Sequence, residues 1–152
     1  MSTNINIDPT LWGSYGWRFM HYITLSYPDN PTPMDKNNMY NFFTIVAGLL
    51  PCEKCRYEFK ENLKKYPLND KVLDSRHHLV LWLLSIHNNV NKRLNKPLMS
   101  YEDFIKEYMK KNNKNVIEYF TNFNLDNSTL YTLLIIIIVT ILLLLLHIRY
   151  TN

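Results

Sequence analysis

Pro51-Cys52-Glu53-Lys54-Cys55-Arg56 contains the only two cysteines of the 152-residue chain, two residues apart, directly after a proline and beside basic side chains. The apolar pattern that precedes it must break at Pro51, and a new helix opens near Cys52. A C-x-x-C pair where a loop runs into a helix lets both sulfurs approach within bonding distance, and the first-turn amides with nearby cations favour a thiolate. A thiolate is the species that attacks disulfides, so the stretch reads as a redox pair. Two blander readings compete. A structural zinc wants four ligands; a second cysteine pair is absent, and His77, His78 and His87 lack the spacing of a zinc-ligating histidine pair. Two unrelated buried thiols would not need to share one turn, with no third cysteine elsewhere.

Outward from this pair the pattern is helical on both sides. Leu11 to Tyr27 carries Trp12, Tyr15, Phe19, Tyr22 and Ile23 at three- and four-residue spacing, a helix with a wide aromatic face; Trp17 and His21, four apart, share a side of it, and as an isolated pair they read as core residues ahead of a binding site. Three prolines between Tyr27 and Pro33 mark a loop, and Thr32-Pro33 caps a second helix whose stripe runs from Met39 to Leu50. The helix opened at Cys52 runs through Tyr57, Phe59 and Leu63 to about Lys65, before Pro67. A longer helix is capped by Asp74 or Ser75, buried by Leu79, Leu81, Trp82, Leu83 and Ile86, and continues into His87-Asn88-Asn89-Val90-Asn91-Lys92. Asparagine is a poor helix interior residue, so three within four positions need a reason. His87 and Asn91 lie four apart on one face, with Asn88 and Lys92 one residue round, and a ligand-binding edge explains polarity and periodicity together better than a solvated helix end. Ser100-Tyr101-Glu102-Asp103 reads as a capping box for a short fifth helix through about Lys110. No segment alternates as a strand. The fold class is therefore all-α, a four-helix bundle with a short fifth helix.

The domain boundaries follow: a polar segment 1–10, a helical domain 11–111, an Asn-rich linker 112–127, an apolar segment 128–148 and a short tail 149–152. Asn127 to Ile148 contains no Asp, Glu, Lys or Arg, and this run predicts a single-pass transmembrane helix. No apolar signal segment opens the chain. Lys106, Lys110, Lys111 and Lys114 precede the run and Arg149 alone follows it, so the positive-inside rule predicts a tail-anchored protein with a cytosolic domain. A cytosolic dithiol is expected to be reduced unless it is catalytic, which favours turnover over a structural bond. The net charge of +4, without a basic stripe interleaved with aromatics, excludes nucleic acid as the expected partner.

A dithiol that shuttles electrons needs an acceptor. A thioredoxin-like fold would require strands, and the glycines Gly13, Gly16 and Gly48 form no G-x-G-x-x-G loop. A flavin would have to be held by aromatic stacking, histidine and amide hydrogen bonds and basic side chains inside a helical bundle.

Trp12-Gly13 with Trp17 and His21, the loop Tyr27-Pro28-Asp29-Asn30-Pro31-Thr32-Pro33, Pro51-Cys52-Glu53-Lys54-Cys55, and His87-Asn88-Asn89-Val90-Asn91-Lys92 followed by Leu94 and Lys96-Pro97 occur in this order. Over about residues 10 to 110 the chain closely resembles the Erv/Alr family of FAD-linked sulfhydryl oxidases, above all the compact members of large cytoplasmic DNA viruses. The resemblance implies a helical bundle that holds FAD noncovalently and pairs as a noncovalent homodimer. It implies that Cys55 lies beside the flavin and that Cys52 is the outer sulfur attacked by substrate thiolate. Trp17, His21, His87, Asn91 and Lys92 would contact FAD, and Trp12, Gly13, Asn88, Val90 and Lys96 would line the same site. No metal is implied. Electrons would pass from protein dithiols, directly or through a thioredoxin- or glutaredoxin-like carrier, to Cys52-Cys55, to FAD and to dioxygen (O2), giving hydrogen peroxide. A viral setting suggests host cytoplasmic membranes or the virion. Many relatives carry a shuttle cysteine pair and structural disulfides, which this chain lacks, so substrate would reach Cys52 directly. The segment after Pro97 has no tryptophan, leaving Tyr101 and Tyr108 as the aromatic candidates there. The competing expectation is a noncatalytic tail-anchored scaffold, with its cysteines incidental or bound to zinc.

Overall fold

A computed structural model describes residues 5–109, 131–132, 135–144, 147 and 149. Among the described residues there are helices and no strand, and the chain divides into two compact units, Met1–Lys110 and Lys111–Asn152.

In the first unit the helices are α1 (Pro9–Leu25), α2 (Pro33–Leu49), α3 (Glu53–Lys65), α4 (Asp70–Leu73), α5 (Arg76–Arg93) and α6 (Tyr101–Met109). Their starts are written in local chemistry. Asp8 accepts from the Thr10 amide at 2.8 Å and Pro9 fits the first helical position, so α1 begins two residues before the expected Leu11. Thr32 and Asp35 cap each other reciprocally at the head of α2, and of the two caps open to α5, Ser75 is the one used. Ser100 and Asp103 make the anticipated side-chain bonds at the head of α6, at 2.7 and 3.0 Å. The single turn α4 was not anticipated. Asn69 caps it through the Val72 amide at 3.1 Å, and Leu73 anchors it in the core.

The core lies where α1, α2, α3 and α5 face one another: Met20, Phe43, Phe59, Leu79, Leu83 and Ile86 are buried, with Trp82 edge-on to Phe43 at 4.8 Å. Burying a side chain of this size contributes about 1.5–3 kcal/mol. Polar tips at the margin find backbone partners. Tyr27 donates its hydroxyl to the Leu73 carbonyl at 2.9 Å and Trp82 its indole N–H to the Tyr66 carbonyl at 2.8 Å. Arg76 donates to the Tyr27 carbonyl at 2.6 Å and pairs with Asp29, which ties the proline-rich loop to the start of α5.

In the second unit, residues 135–144 are helical with exposed side chains. The linker 112–127 and much of the apolar segment 128–148 lie outside the described residues; among the described ones no helix is long and apolar enough to cross a membrane.

Candidate functional site

The sulfur pair sits at the mouth of α3. Cys52 is the helix N-cap, its Sγ accepting the Cys55 amide N–H at 3.1 Å, and the two residues form a disulfide with Cα atoms 5.1 Å apart. Such a separation is ordinary for a disulfide, and one helical turn supplies it. Arg56 donates to the Leu50 carbonyl at 2.7 Å and so holds the bend that Pro51 imposes between α2 and α3. Cys52 is only 4% exposed, whereas Cys55 is half-buried.

Two helices deliver the aromatic and imidazole groups. Trp17 of α1 stacks on His87 of α5, centroids 4.1 Å apart and planes 8° from parallel. Behind them His21 Nε2 and His87 Nδ1 are 3.0 Å apart, while the buried His21 Nδ1 has no partner among the described residues. Burial holds the His21 ring far below the ordinary histidine range, at about 3, and the neighbouring His87 adds to the shift. His87 is lowered to about 4 by burial and then by the Lys96 charge. Both rings are neutral at physiological pH, so they hydrogen-bond without carrying charge.

The chain leaves α5 through a tight reversal. Asn95 adopts a left-handed φ of 53°, its N–H donates to the Lys92 carbonyl at 3.2 Å, and the Lys96 N–H donates to the Asn91 carbonyl at 2.9 Å. These are the two bonds of a Schellman cap, in which asparagine substitutes for glycine. The following segment is then clamped by Asn88, whose amide donates to the Met99 carbonyl and accepts from the Met99 N–H, both at 2.8 Å.

These elements enclose a cavity of about 1030 Å³. Its walls take Trp12, Gly13 and Trp17 from α1, Cys52 and Cys55 from the α3 mouth, His87, Val90 and Asn91 from α5, and Lys96 from beyond the cap. Three expected site residues are not on the wall: His21 lies behind it, Asn88 serves the Met99 clamp, and Lys92 is exposed. Of the two aromatic candidates after Pro97, Tyr108 lines the cavity, packing 4.7 Å from His21, whereas Tyr101 packs against His77 and Phe104. Sequence patterns missed the ion pairs that frame it: Arg18 with Glu107 at 2.6 Å, joining α1 to α6, and Arg93 with Glu58, joining α5 to α3. No local pattern signals partners this far apart in the chain. The histidines a zinc site would need are held apart in different neighbourhoods, His77 beside His78 and Tyr101, and His87 beside Trp17 and His21. Among the described residues no group of three or more metal-ligating side chains converges.

A helical unit with no strand among its described residues, whose disulfide opens onto an aromatic and cationic cavity, is not of the thioredoxin type. The chain belongs to the Erv1/Alr family, whose pattern it matches over residues 14–110. It is 46% identical over 99 residues to a probable FAD-linked sulfhydryl oxidase of Acanthamoeba polyphaga mimivirus, covering 65% of this chain and 69% of that protein. It is 32% identical over 108 residues to the FAD-linked sulfhydryl oxidase of African swine fever virus, covering 71% of this chain and 87% of that one. Among solved structures, the FAD-binding domain of Erv1 from Saccharomyces cerevisiae superimposes with a TM-score of 0.62 at 29% identity, covering 70% of this chain and 99% of that domain.

The residues present fit a flavin dinucleotide. The cavity is at the top of the range of about 300–1,000 Å³ typical of ligand pockets. A Cβ on Gly13, on its wall, would meet no atom within 4 Å, so the glycine leaves open space there. Lys54 and Lys96 line it without a carboxylate partner among the described residues, and the unpartnered His21 Nδ1 lies behind the Trp17–His87 stack. Together they offer what phosphates and an aromatic heterocycle require.

Proposed function

We propose that this chain is an FAD-linked sulfhydryl oxidase that forms disulfides in protein substrates through Cys52 and Cys55. The observation that carries the reading is a large cavity with the disulfide in its wall beside Trp17, His87, Asn91 and Lys96. Cys52 and Cys55 are the catalytic residues. Trp12, Gly13, Trp17, His87, Val90, Asn91 and Lys96 hold the cofactor directly; His21, Asn88 and Lys92 support them. The bundle of α1, α2, α3 and α5, with α6 as the short fifth helix, forms the FAD-binding domain over 11–111.

A client thiolate attacks Cys52 Sγ, the bond to Cys55 breaks, and Cys55 leaves as a thiolate while the client is held as a mixed disulfide. The client's second thiolate then attacks its own bonded sulfur and displaces Cys52, also as a thiolate. The client has lost two electrons and the enzyme pair has gained them. The Cys55 amide, 3.1 Å from Cys52 Sγ, and the amides of the first turn of α3 stabilise negative charge on the departing Cys52 sulfur. Neutral His21 and His87 keep the cavity wall uncharged behind Trp17, while Lys54 and Lys96 supply the cations. The chemistry that bound FAD supplies is two-electron acceptance from the dithiol and reoxidation by dioxygen, which leaves hydrogen peroxide. The purified chain is expected to be yellow, and its flavin band to bleach on anaerobic addition of dithiothreitol; a colourless protein, or a band that does not respond, rejects the reading.

Two further parts of the proposal rest on surfaces. Leu11, Tyr15 and Phe19 form an exposed stripe at four-residue spacing on α1, and exposed Leu49 of α2 lines a surface groove with Phe19, which supports a noncovalent homodimer. Phe19→Glu is expected to halve the mass seen by light scattering. The uncharged run from Asn127 to Ile148 supports a transmembrane helix over 128–148 with the oxidase domain cytosolic, on host membranes or in the virion, where protein dithiols or a thioredoxin-like carrier would meet it. Protease digestion of intact membranes should then remove the domain from the cytosolic side; full protection rejects that orientation.

A further inference from the structure

The direct-attack mechanism needs Cys52 within reach of a protein thiolate, yet its side chain is 4% exposed. The segment before α1 lies along the residues that flank it. The Ile7 N–H donates to the Pro51 carbonyl at 2.8 Å, and the Asn6 side-chain carbonyl accepts the Glu53 N–H at 2.9 Å. One bond falls on each side of Cys52. Up to Asp8, which caps α1, the segment is held by little else: Trp12 donates to the Ile7 carbonyl at 3.3 Å, and Ile5 and Ile7 are both exposed. A stretch with few buried contacts and solvent-exposed hydrogen bonds belongs to the low-stability end of a fold.

Resting on the oxidase reading above, we propose that residues 5–7 form a strap that occupies the client's docking track, and that an extended, cysteine-bearing client segment displaces it by pairing with the same Pro51 carbonyl and Glu53 amide. Both groups belong to the main chain. They complement the N–H and C=O of any extended peptide, as in strand-addition recognition, and they read no side chain. This track recognises extended backbone of any sequence and admits clients that are locally unfolded around their cysteines. It also gives a chain with only two cysteines a way to keep Cys52 shielded between clients.

The test uses the full chain loaded with FAD, with Asn6→Ala and Ile7→Pro made separately, since neither residue belongs to the catalytic or cofactor-binding set. Reduction of the Cys52–Cys55 bond by a phosphine is followed anaerobically, by alkylation of the freed thiols and mass measurement. Each variant is expected to react about 2- to 12-fold faster than wild type, the population shift equivalent to one hydrogen bond of ordinary net strength. A short peptide dithiol should also be oxidised several-fold faster than the same peptide N-methylated beside its attacking cysteine. Unchanged phosphine rates in both variants overturn the strap, and equal turnover of the two peptides overturns the docking track. If wild type instead lacks flavin and consumes no oxygen with dithiothreitol, it is the oxidase reading that has failed, and the phosphine rates still decide whether the strap exists.

Discussion

Acidification should loosen the flavin site well before it titrates the carboxylates. The unfolded chain holds its histidines near the ordinary value of 6.5, whereas the folded chain holds His21 at about 3 and His87 at about 4. Because the folded values are depressed, the unfolded state binds protons first as pH falls. Folded-state stability is therefore intact above 6.5, declines through the window from 6.5 toward 4 and 3, and stops declining below it. Between pH 7.5 and 4.5 the loss is roughly 2–3 kcal/mol for His21 alone. The rings are 3.0 Å apart, so protonating both is no simple sum, and one residue's share is the lower bound. For a unit near 100 residues that is a drop in Tm of about 10–20 °C. Asp8, Asp35, Asp74 and Asp103 are held below 3.8 by their hydrogen bonds, so their contributions are lost mainly under pH 4, outside the window. The assay is thermal release of flavin fluorescence from the full chain, compared between wild type and His21→Gln. Wild type should lose stability steeply from pH 6.5 to 4.5 and the variant less so. A flat wild-type profile, or an equal slope in both, refutes the neutral buried pair.

Cys55→Ser should retain the yellow cofactor yet lose dithiol-dependent oxygen consumption; near-normal oxygen electrode traces would remove Cys55 from its role. Asn88→Ala leaves the Met99 N–H and carbonyl without their clamp and frees the segment carrying Lys96, so flavin titration should show affinity weakened by about 1–3 kcal/mol, with the helical circular dichroism unchanged. Phe43 is fully buried against Phe42 and Trp82, and Phe43→Ala should destabilise the domain by about 3–5 kcal/mol in urea unfolding.

The helical elements could be read because their determinants are local. Thr32-Pro33, Ser75 and the Ser100/Asp103 pair each specify a helix start within three residues, and Pro51 breaks the pattern where α2 ends; Asp8-Pro9 is as local a signal, but the expected helix opens only at Leu11 and puts residues 1–10 outside it. The polar edge of α5 was equally visible, because asparagines there contradict helix propensity and need a compensating partner. What that partner is could not be read from spacing. Asn88 and Asn91 look alike in the sequence, yet one grips a backbone eleven residues on and the other faces the cavity. Tyr108 was separable from Tyr101 only once α6 lay against α1, with Arg18 pairing to Glu107 across 89 residues. The α4 turn escaped notice because four residues are too few to show a period.

The strap and the cavity bear on one disulfide in different ways, and that bears on how a chain with two cysteines can turn over at all. A single turn of α3 puts Cys52 between the two bonds of the strap and leaves Cys55 the more open of the two sulfurs on the cavity wall. Exchange with a client and delivery of electrons therefore need not compete for one sulfur. If a client could reach Cys55 as readily as Cys52, the mixed disulfide would form on the sulfur needed at the cavity and turnover would stall. A strap over the flanks of Cys52 would let an extended backbone choose Cys52 as it displaces the strap, while a cofactor filling the cavity would deny the client Cys55. Specificity for the sulfur attacked then follows from which cover can move, the strap being held by two main hydrogen bonds and the cavity by the helices around it.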